Sequence, residues 1–186
     1  MLRAGIRLAQ LADIERLQWV EIDAGQRFHA VGLHAIAEDD PPAGEVLAAK
    51  VAQGRLWVAE RVGGEPAEHG PVGVLGYAAA STVDGHAHLD QVSVIGEAAG
   101  RGIGAQLLAA VEDWAKAAGL DTLTLTTFRE VPWNGPYYRR LGFVELDGAT
   151  FGPQLAAIRA REQANGLELL PRCAMGKGLL GAPSPR

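Results

Sequence analysis

The chain has 186 residues, of which 48% are apolar and 21% are charged, and its formal net charge is −5 at pH 7. This length and balance predict one globular domain over residues 1–180, followed by a loose tail at 181–186. An acidic chain repels nucleic-acid phosphates, the single cysteine excludes an internal disulfide, and no Cys/His spacing suggests zinc, so we expect neither a nucleic-acid partner nor a metal.

The N-terminal third of the sequence predicts one strand and two helices. Its first residues carry acids early and lack a long apolar run, which favours a cytoplasmic protein without a signal peptide or membrane anchor. Weak alternation predicts a strand over 5–8, and helical spacing predicts helices over 11–23 and 45–52. The segment 26–37 between them is ambiguous. The apolar residues that define the first helix are Leu11, Ile14, Leu17 and Ile22.

The middle of the sequence changes to the alternating pattern of strands. Strands are predicted over 56–60, 72–80 and 86–95, with a polar loop at 63–71. A glycine-rich stretch follows and opens a long helix that ends at Gly119. One face of this helix carries Ile103, Leu107, Val111, Trp114, Ala115 and Ala118.

The C-terminal third alternates strands with helices. Strands are predicted over 121–127, 143–146 and 172–175, and helices from Pro136 and over 153–165. The whole order, β-α-α-β-β-β-α-β-α-β-α-β, predicts an α/β fold of the mixed α+β type. We expect a central, mostly antiparallel mixed sheet with helices on both faces. The predicted core includes Trp19, Trp57 and Trp114.

A strand delivers the chain to Gly100, Gly102 and Gly104, which open the long helix. The first amides of a helix have no internal partner and carry partial positive charge, and glycines let phosphate oxygens approach them closely. The segment therefore predicts a cradle for a pyrophosphate, although the spacing alone also fits a tight turn that binds nothing.

The same glycines also fit the dinucleotide fingerprint GxGxxG/A, which ends at Ala105. Two features disfavour a dinucleotide. The motif lies halfway along the chain, and the acid at the right distance, Asp121, starts the next strand instead of ending it. The sequence has no GxxxxGK[ST] motif, which disfavours ATP and GTP.

Two motifs resemble the GNAT superfamily of acetyl-CoA-dependent N-acetyltransferases. The family's cofactor motif, Gln/Arg-x-x-Gly-x-Gly/Ala, is similar to residues 99–104, with Ala99 in place of Gln or Arg. That departure removes one side chain but no backbone amide. Residues 138–143 resemble the family's Tyr-x-x-x-Gly-Phe signature. The resemblance covers 6–179, and residues 126–134 are similar to a bacterial branch whose substrates are not established.

The resemblance implies a GNAT-like fold and direct transfer of an acetyl group from acetyl-CoA to an amine in a ternary complex. It implies that a backbone amide near Val94 polarises the thioester carbonyl and that Tyr138 protonates the departing thiolate. The implied cofactor contacts are Val92, Ser93, Val94, Ala99, Gly100, Arg101, Gly102, Ile103, Gly104, Ala105, Thr127, Asn134 and Tyr138.

The sequence does not decide which residue is the general base or whether Asn134 contacts the cofactor. His88 falls where some family members hold a catalytic glutamate, and Asp90 shares its face of the strand. Both residues also fit a pocket lining, with a water chain taking the proton. Asn134 fits either a pantetheine contact or, more simply, a helix cap, because Asn followed by Gly-Pro is typical of a helix start. The family's asparagine position, which implies the pantetheine contact, is Val131 here.

The family's acceptor site implies that the segment 21–40 binds the amine. The candidate residues are Glu21, Phe28, His29, His34 and Asp90. We expect a small-molecule primary amine as acceptor, and the resemblance also admits a homodimer. The alternatives are a protein N-terminal or lysine acetyltransferase, a non-catalytic acyl-CoA-binding or sensing module, and a nicotinamide-dependent dehydrogenase.

Overall fold

The computed structural model describes residues 4–62 and 73–179. The polar loop predicted at 63–71 and the tail predicted at 181–186 lie outside these residues. The strands of the described chain are β1 (Ala4–Leu8), β2 (Leu56–Arg61), β3 (Val74–Val83), β4 (His86–Val94), β5 (Thr122–Phe128), β6 (Val144–Glu145) and β7 (Arg172–Gly178). They form one sheet with the order β1-β2-β3-β4-β5-β7-β6.

The sheet mixes both strand directions. β4 pairs with β5 in parallel, whereas β1 with β2, β2 with β3, β5 with β7 and β6 with β7 are antiparallel. The parallel pairing runs from Ala87↔Leu123 to Leu89↔Leu125, while β4 itself continues to Val94. This arrangement confirms the mixed α/β class that the order of predicted elements indicates.

Five of the six α-helices of the described residues lie where helices were predicted, and α2 lies in the segment that the sequence left ambiguous. They are α1 (Ile14–Gly25), α2 (His34–Ala37), α3 (Gly44–Ala52), α4 (Ile103–Ala117), α5 (Gly135–Arg140) and α6 (Pro153–Ala164). The ambiguous segment resolves into a 3₁₀ helix over Gln26–Val31 followed by α2. None of the helices in the described part of the chain is long and apolar enough to cross a membrane.

The chain divides into two compact units. The first consists of Met1–Ala80 and Gln91–Val111, and the second of Ser81–Asp90 and Glu112–Arg186. The expectation of a single domain over residues 1–180 stays a prediction.

In the first unit, α1 packs on α3, and α3 packs on β2. α1 begins at Ile14, and Leu17 and Val20, three residues apart, define its buried face. The predicted core position of Trp19 is wrong, because it points away from that face and is 45% exposed. The guanidinium of Arg16 lies 3.9 Å from the centroid of its ring. Of the four residues that predicted this helix, Leu11 and Ile22 are exposed as well.

In the second unit, the turn between β3 and β4 holds the start of α6. Asp84 lies in this turn with φ of 51°, and its two carboxylate oxygens each accept a hydrogen bond of 2.9 Å, from the amides of Gln154 and Leu155. A side chain at Gly152 would overlap the Asp84 carboxylate, so the close approach requires glycine there. We call this contact the Asp84 clasp.

Candidate functional site

The glycine turn before α4 has the backbone that its sequence requires. After β4 the chain makes one 3₁₀ turn, Gly96–Ala98, and Ala99 is extended. Gly100 and Gly102 then have φ of 72° and 79°, a left-handed region that residues with a Cβ rarely adopt. The first hydrogen bond of the helix joins the amide of Gln106 to the carbonyl of Gly102, at 3.1 Å. The amides of residues 103–105 therefore precede the helical ladder.

These residues fit a diphosphate group. A Cβ built at Gly100 or at Gly102 meets no heavy atom within 4 Å, so the space above the turn is open. Gly100, Arg101 and Gly102 are exposed, whereas Ile103 is buried and anchors the start of α4. The three unpaired amides and the positive end of a helix of 15 residues favour an anion at the start of α4.

The end of β4 is held on two sides within the first unit. β3 approaches closely at Gly76, where a Cβ would lie 2.6 Å from the carbonyl oxygen of Ser93. Asp23 of α1 accepts a hydrogen bond of 2.6 Å from the amide of Gly96, directly after the strand. Val92 and Val94 are half-buried. The strand that leads into the glycine turn is therefore fixed by both β3 and α1.

A buried polar cluster surrounds Glu21 of α1, and we call it the Glu21 cluster. Tyr77 and Ser93 donate hydrogen bonds of 2.8 and 2.7 Å to Oε2, and Gln91 donates one of 2.7 Å to Oε1. Burial raises the pKa of Glu21, hydrogen bonds from Ser93 and Tyr77 lower it, and the nearby carboxylate of Asp39 raises it. Burial also raises the pKa of Tyr77 well above its usual value, which keeps its phenol protonated.

The sequence singles out Glu21 and Ser93 but does not bring them together, and it misses Tyr77 and Gln91 altogether. One signal was available: Tyr77 stands in the run VLGYAAA, and a tyrosine in a buried apolar strand usually needs a partner for its hydroxyl group.

The other acceptor candidates form a second, more open group. Nδ1 of His29 lies 2.8 Å from Nδ1 of His34, with the ring centroids 5.1 Å apart. One of these two nitrogens must be protonated and the other must accept. Phe28 is half-buried.

The predicted acid, Tyr138, lies on α5 in the second unit. Its ring is buried and packs edge-on against Phe143, at a centroid distance of 5.6 Å. Burial raises the pKa of Tyr138, and the neighbouring Tyr137 adds to the shift. The sharp start of α5 depends on Gly135, since a Cβ there would overlap the carbonyl of Arg129.

Asn134 stands at the N-cap position of α5, but its side chain makes no cap hydrogen bond, so the capping interpretation is wrong. Its backbone carbonyl is occupied by the amide of Tyr138, at 3.0 Å, whereas its buried Oδ1 has no hydrogen-bond partner among the described residues. Thr127, another predicted cofactor contact, is buried on β5 opposite Cys173.

The two candidate bases occupy different environments in the second unit. His88 is only 3% exposed, and its Nδ1 lies 2.8 Å from Oγ1 of Thr124. Because this hydroxyl donates to the carbonyl of Ala87, we assign the proton of that contact to Nδ1 of His88. Asp90 is exposed and accepts a hydrogen bond of 2.7 Å from Ser81.

Solved structures share this fold over nearly the whole chain. Rv2747 from Mycobacterium tuberculosis, in complex with CoA, is 20% identical, with a TM-score of 0.63 and coverage of 95% of this chain and 99% of that chain. A GNAT-family acetyltransferase from Staphylococcus aureus Mu50 is 16% identical, with a TM-score of 0.68 and coverage of 95% and 99%. The ribosomal-protein-S18-alanine N-acetyltransferase from Escherichia coli is 15% identical, with a TM-score of 0.63 and coverage of 98% and 99%.

The sequence itself gives the family. Residues 8–143 match the model of the Acetyltransferase (GNAT) family, and this match includes both the glycine turn and the Tyr138 motif. The chain therefore belongs to the GNAT family of acetyltransferases.

Proposed function

We propose that this chain transfers an acetyl group from acetyl-CoA directly to the primary amine of a small molecule, in a ternary complex. The observation that carries the proposal is the open glycine turn at Gly100 and Gly102, followed by the first amides of α4. Membership of the GNAT family and the CoA complexes among the similar folds support the same class of cofactor.

Residues at the start of α4 bind the diphosphate of the cofactor in this proposal. The amides of residues 103–105 donate hydrogen bonds to phosphate oxygens, and Arg101 adds a positive charge. The backbone of Val92 and Val94, two half-buried residues, faces the pantetheine arm. Further contacts are proposed for Ser93, Ala99, Thr127 and Asn134, and the unpartnered Oδ1 of Asn134 suits a ligand amide.

The transfer step needs polarisation of a carbonyl and a proton for a leaving group. Acetyl-CoA supplies a thioester that a neutral amine attacks. The amide of Val94 polarises its carbonyl. As the C–N bond forms and the C–S bond breaks, the hydroxyl of Tyr138 gives its proton to sulfur. The amine loses its own proton to His88, to Asp90 or to water. The identity of this general base stays a prediction.

The first experiment is calorimetric titration of the protein with acetyl-CoA, with NAD and NADH as controls. We expect saturable binding of acetyl-CoA alone. Gly102→Asp should abolish this binding, because it places a carboxylate against phosphate. Gly166→Asp is the matched control: Gly166 follows α6, also has positive φ and also faces open space. Failure of the wild-type protein to bind acetyl-CoA would contradict the proposal.

Release of the CoA thiol across a panel of amines then separates an enzyme from a sensing module. Tyr138→Phe should lower kcat by about a hundredfold and leave the Kd for acetyl-CoA unchanged. Tyr137→Phe, on the adjacent half-buried ring, is its control. Unchanged turnover in Tyr138→Phe would remove it as the acid. Binding without thiol release for any small amine, peptide N-terminus or lysine would favour the sensing module.

A further inference from the structure

We infer that Glu21 binds the ammonium group of the acceptor, so that this enzyme selects primary alkylamines that are cationic at neutral pH over neutral arylamines. The inference rests on the proposed acetyl transfer and names the class of its substrate. It is carried by the Glu21 cluster, in which α1, β3 and β4 of the first unit converge on one carboxylate.

The first step concerns charge. Across residues 4–62 and 73–179, the hydrogen-bond donors to Glu21 are the neutral side chains of Tyr77, Gln91 and Ser93. The charged side chain that acts on it through space is Asp39, another acid. A carboxylate removed from water in this way lacks the cation that usually compensates it, and an ammonium ion supplies one.

The second step concerns hydrogen-bonding capacity. A carboxylate offers about four lone-pair positions, and three of them are filled here. The remaining position is on Oε1, which accepts a single hydrogen bond. Glu21 is half-buried, so the residue is not sealed from solvent, and three hydrogen bonds hold its carboxylate. An ammonium group, which carries only donors, matches it.

The third step concerns location. Ser93, which holds Oε2 at 2.7 Å, directly precedes Val94, whose amide we propose for the thioester carbonyl. The reacting nitrogen must approach that same carbonyl carbon. The Glu21 carboxylate, held by the side chain of the residue before Val94, is therefore suited to orienting the amine.

A purely structural role makes a different prediction. If Glu21 only fastens α1 to β3 and β4, its neutral variant changes stability and leaves the selection of the acceptor untouched. If it binds ammonium, loss of its charge raises the KM for cationic amines, while kcat and the Kd for acetyl-CoA change little. The KM of a neutral amine stays the same.

The test measures thiol release with acetyl-CoA and a fixed panel: phenethylamine, putrescine, glucosamine, phenylalanine amide and aniline. The variant is Glu21→Gln, which keeps the shape and removes the charge. Glu15→Gln is the matched control, because it makes the same change at an exposed position of α1. Glu21→Asp keeps the charge and should retain part of the affinity.

We expect the KM of the best cationic amine to rise about ten- to a hundredfold in Glu21→Gln, the range for loss of a charge-assisted hydrogen bond. Glu15→Gln should change it less than about twofold. An unchanged KM in Glu21→Gln, or aniline used as well as the alkylamines, would overturn the inference while acetyl transfer itself stood. No thiol release with any amine would instead contradict the proposed function.

Should Glu21→Gln fail to fold, the wild-type protein gives the answer. The alcohol analogue of the best amine lacks the charge but keeps the shape. We expect it to inhibit competitively at least about tenfold more weakly than the amine binds. Equal affinities for the two molecules would overturn the inference.

Discussion

Two half-buried glutamates, one in each unit, anchor a helix to strands in opposite ways. Glu21 of α1 accepts hydrogen bonds from neutral groups, and burial raises its pKa. Glu162 of α6 is bound by Arg159, by Arg172 at 2.8 Å and by the hydroxyl of Thr126. These contacts outweigh its burial and lower its pKa.

The comparison teaches how to tell a structural carboxylate from one available to a ligand. Glu162 is compensated within its own unit by two arginines, so a further cation would find its charge already neutralised. Glu21 has a rigid hydrogen-bonded setting, and within the described part of the chain its hydrogen-bond partners carry no positive charge. The hydrogen-bond partners, more than the burial, therefore separate the two functions.

The largest expected effect follows from breaking the compensated pair. Glu162→Gln leaves the mostly buried Arg172 without its counter-charge and Arg159 with Glu168 alone, and we expect the free energy of unfolding to fall by about 3 kcal/mol. Urea denaturation measures this change. Binding of acetyl-CoA should persist at temperatures where the variant is folded. A loss below about 0.5 kcal/mol would show that Glu162 resembles an ordinary surface acid.

Removing one neutral donor tests the rigidity of the Glu21 cluster. Tyr77→Phe deletes a buried hydrogen bond of 2.8 Å to Oε2 and should cost about 1–2 kcal/mol of stability. Because this hydrogen bond lowers the pKa of Glu21, its loss should raise that pKa further. Titration of the labelled Glu21 carboxyl carbon by NMR checks the direction, and a lowered pKa would contradict the described contact.

The pH dependence of stability should have opposite signs at the two glutamates. The folded pKa of Glu162 is lowered from 4.5, so its contribution is present above that pH and lost as the pH falls. The folded pKa of Glu21 is raised from 4.5, so its contribution is present below that pH and lost as the pH rises. Unfolding curves of Glu162→Gln and Glu21→Gln against the wild type between pH 4 and pH 7 measure both slopes, and parallel slopes would refute the distinction.

The smallest effect is expected for the stability of Glu21→Gln at neutral pH. The amide loses charge-assisted hydrogen bonds but also escapes the cost of a buried charge, so we expect a change within about 1 kcal/mol. Thermal unfolding monitored by circular dichroism is sufficient. A loss of stability as large as that of Glu162→Gln would indicate that both glutamates serve only to hold the fold together.

Local patterns in the sequence predicted most of the fold and the glycine turn. The turn could be predicted because positive φ at Gly100 and Gly102, and the helix that follows, depend on adjacent residues. The errors concerned which side chains contact each other and which face of a helix is buried. Trp19 was assigned to the core from its residue type, although it lies off the face that Leu17 and Val20 define, and the spacing of α1 was read from Leu11, before the helix begins.

The Glu21 cluster could not be predicted, because its members are distant in sequence. Tyr77, Gln91 and Ser93 lie 56, 70 and 72 residues from Glu21, and only the pairing of strands brings them to one carboxylate. The arginines that bind Glu162 are closer in sequence, at three and ten residues. Even so, the contact with Arg172 depends on the path of the chain between α6 and β7, which the sequence pattern does not give. Charge compensation is thus a property of the fold.

The Asp84 clasp has a consequence for hydrogen exchange. The first amides of a helix normally exchange quickly, because they have no acceptor within it. In α6, the amides of Gln154 and Leu155 are instead held by a residue 70 and 71 positions earlier in the chain. The protection of these two amides from exchange therefore reports whether the turn between β3 and β4 is formed. In Asp84→Ala, both amide protons should exchange before the rest of the helix opens.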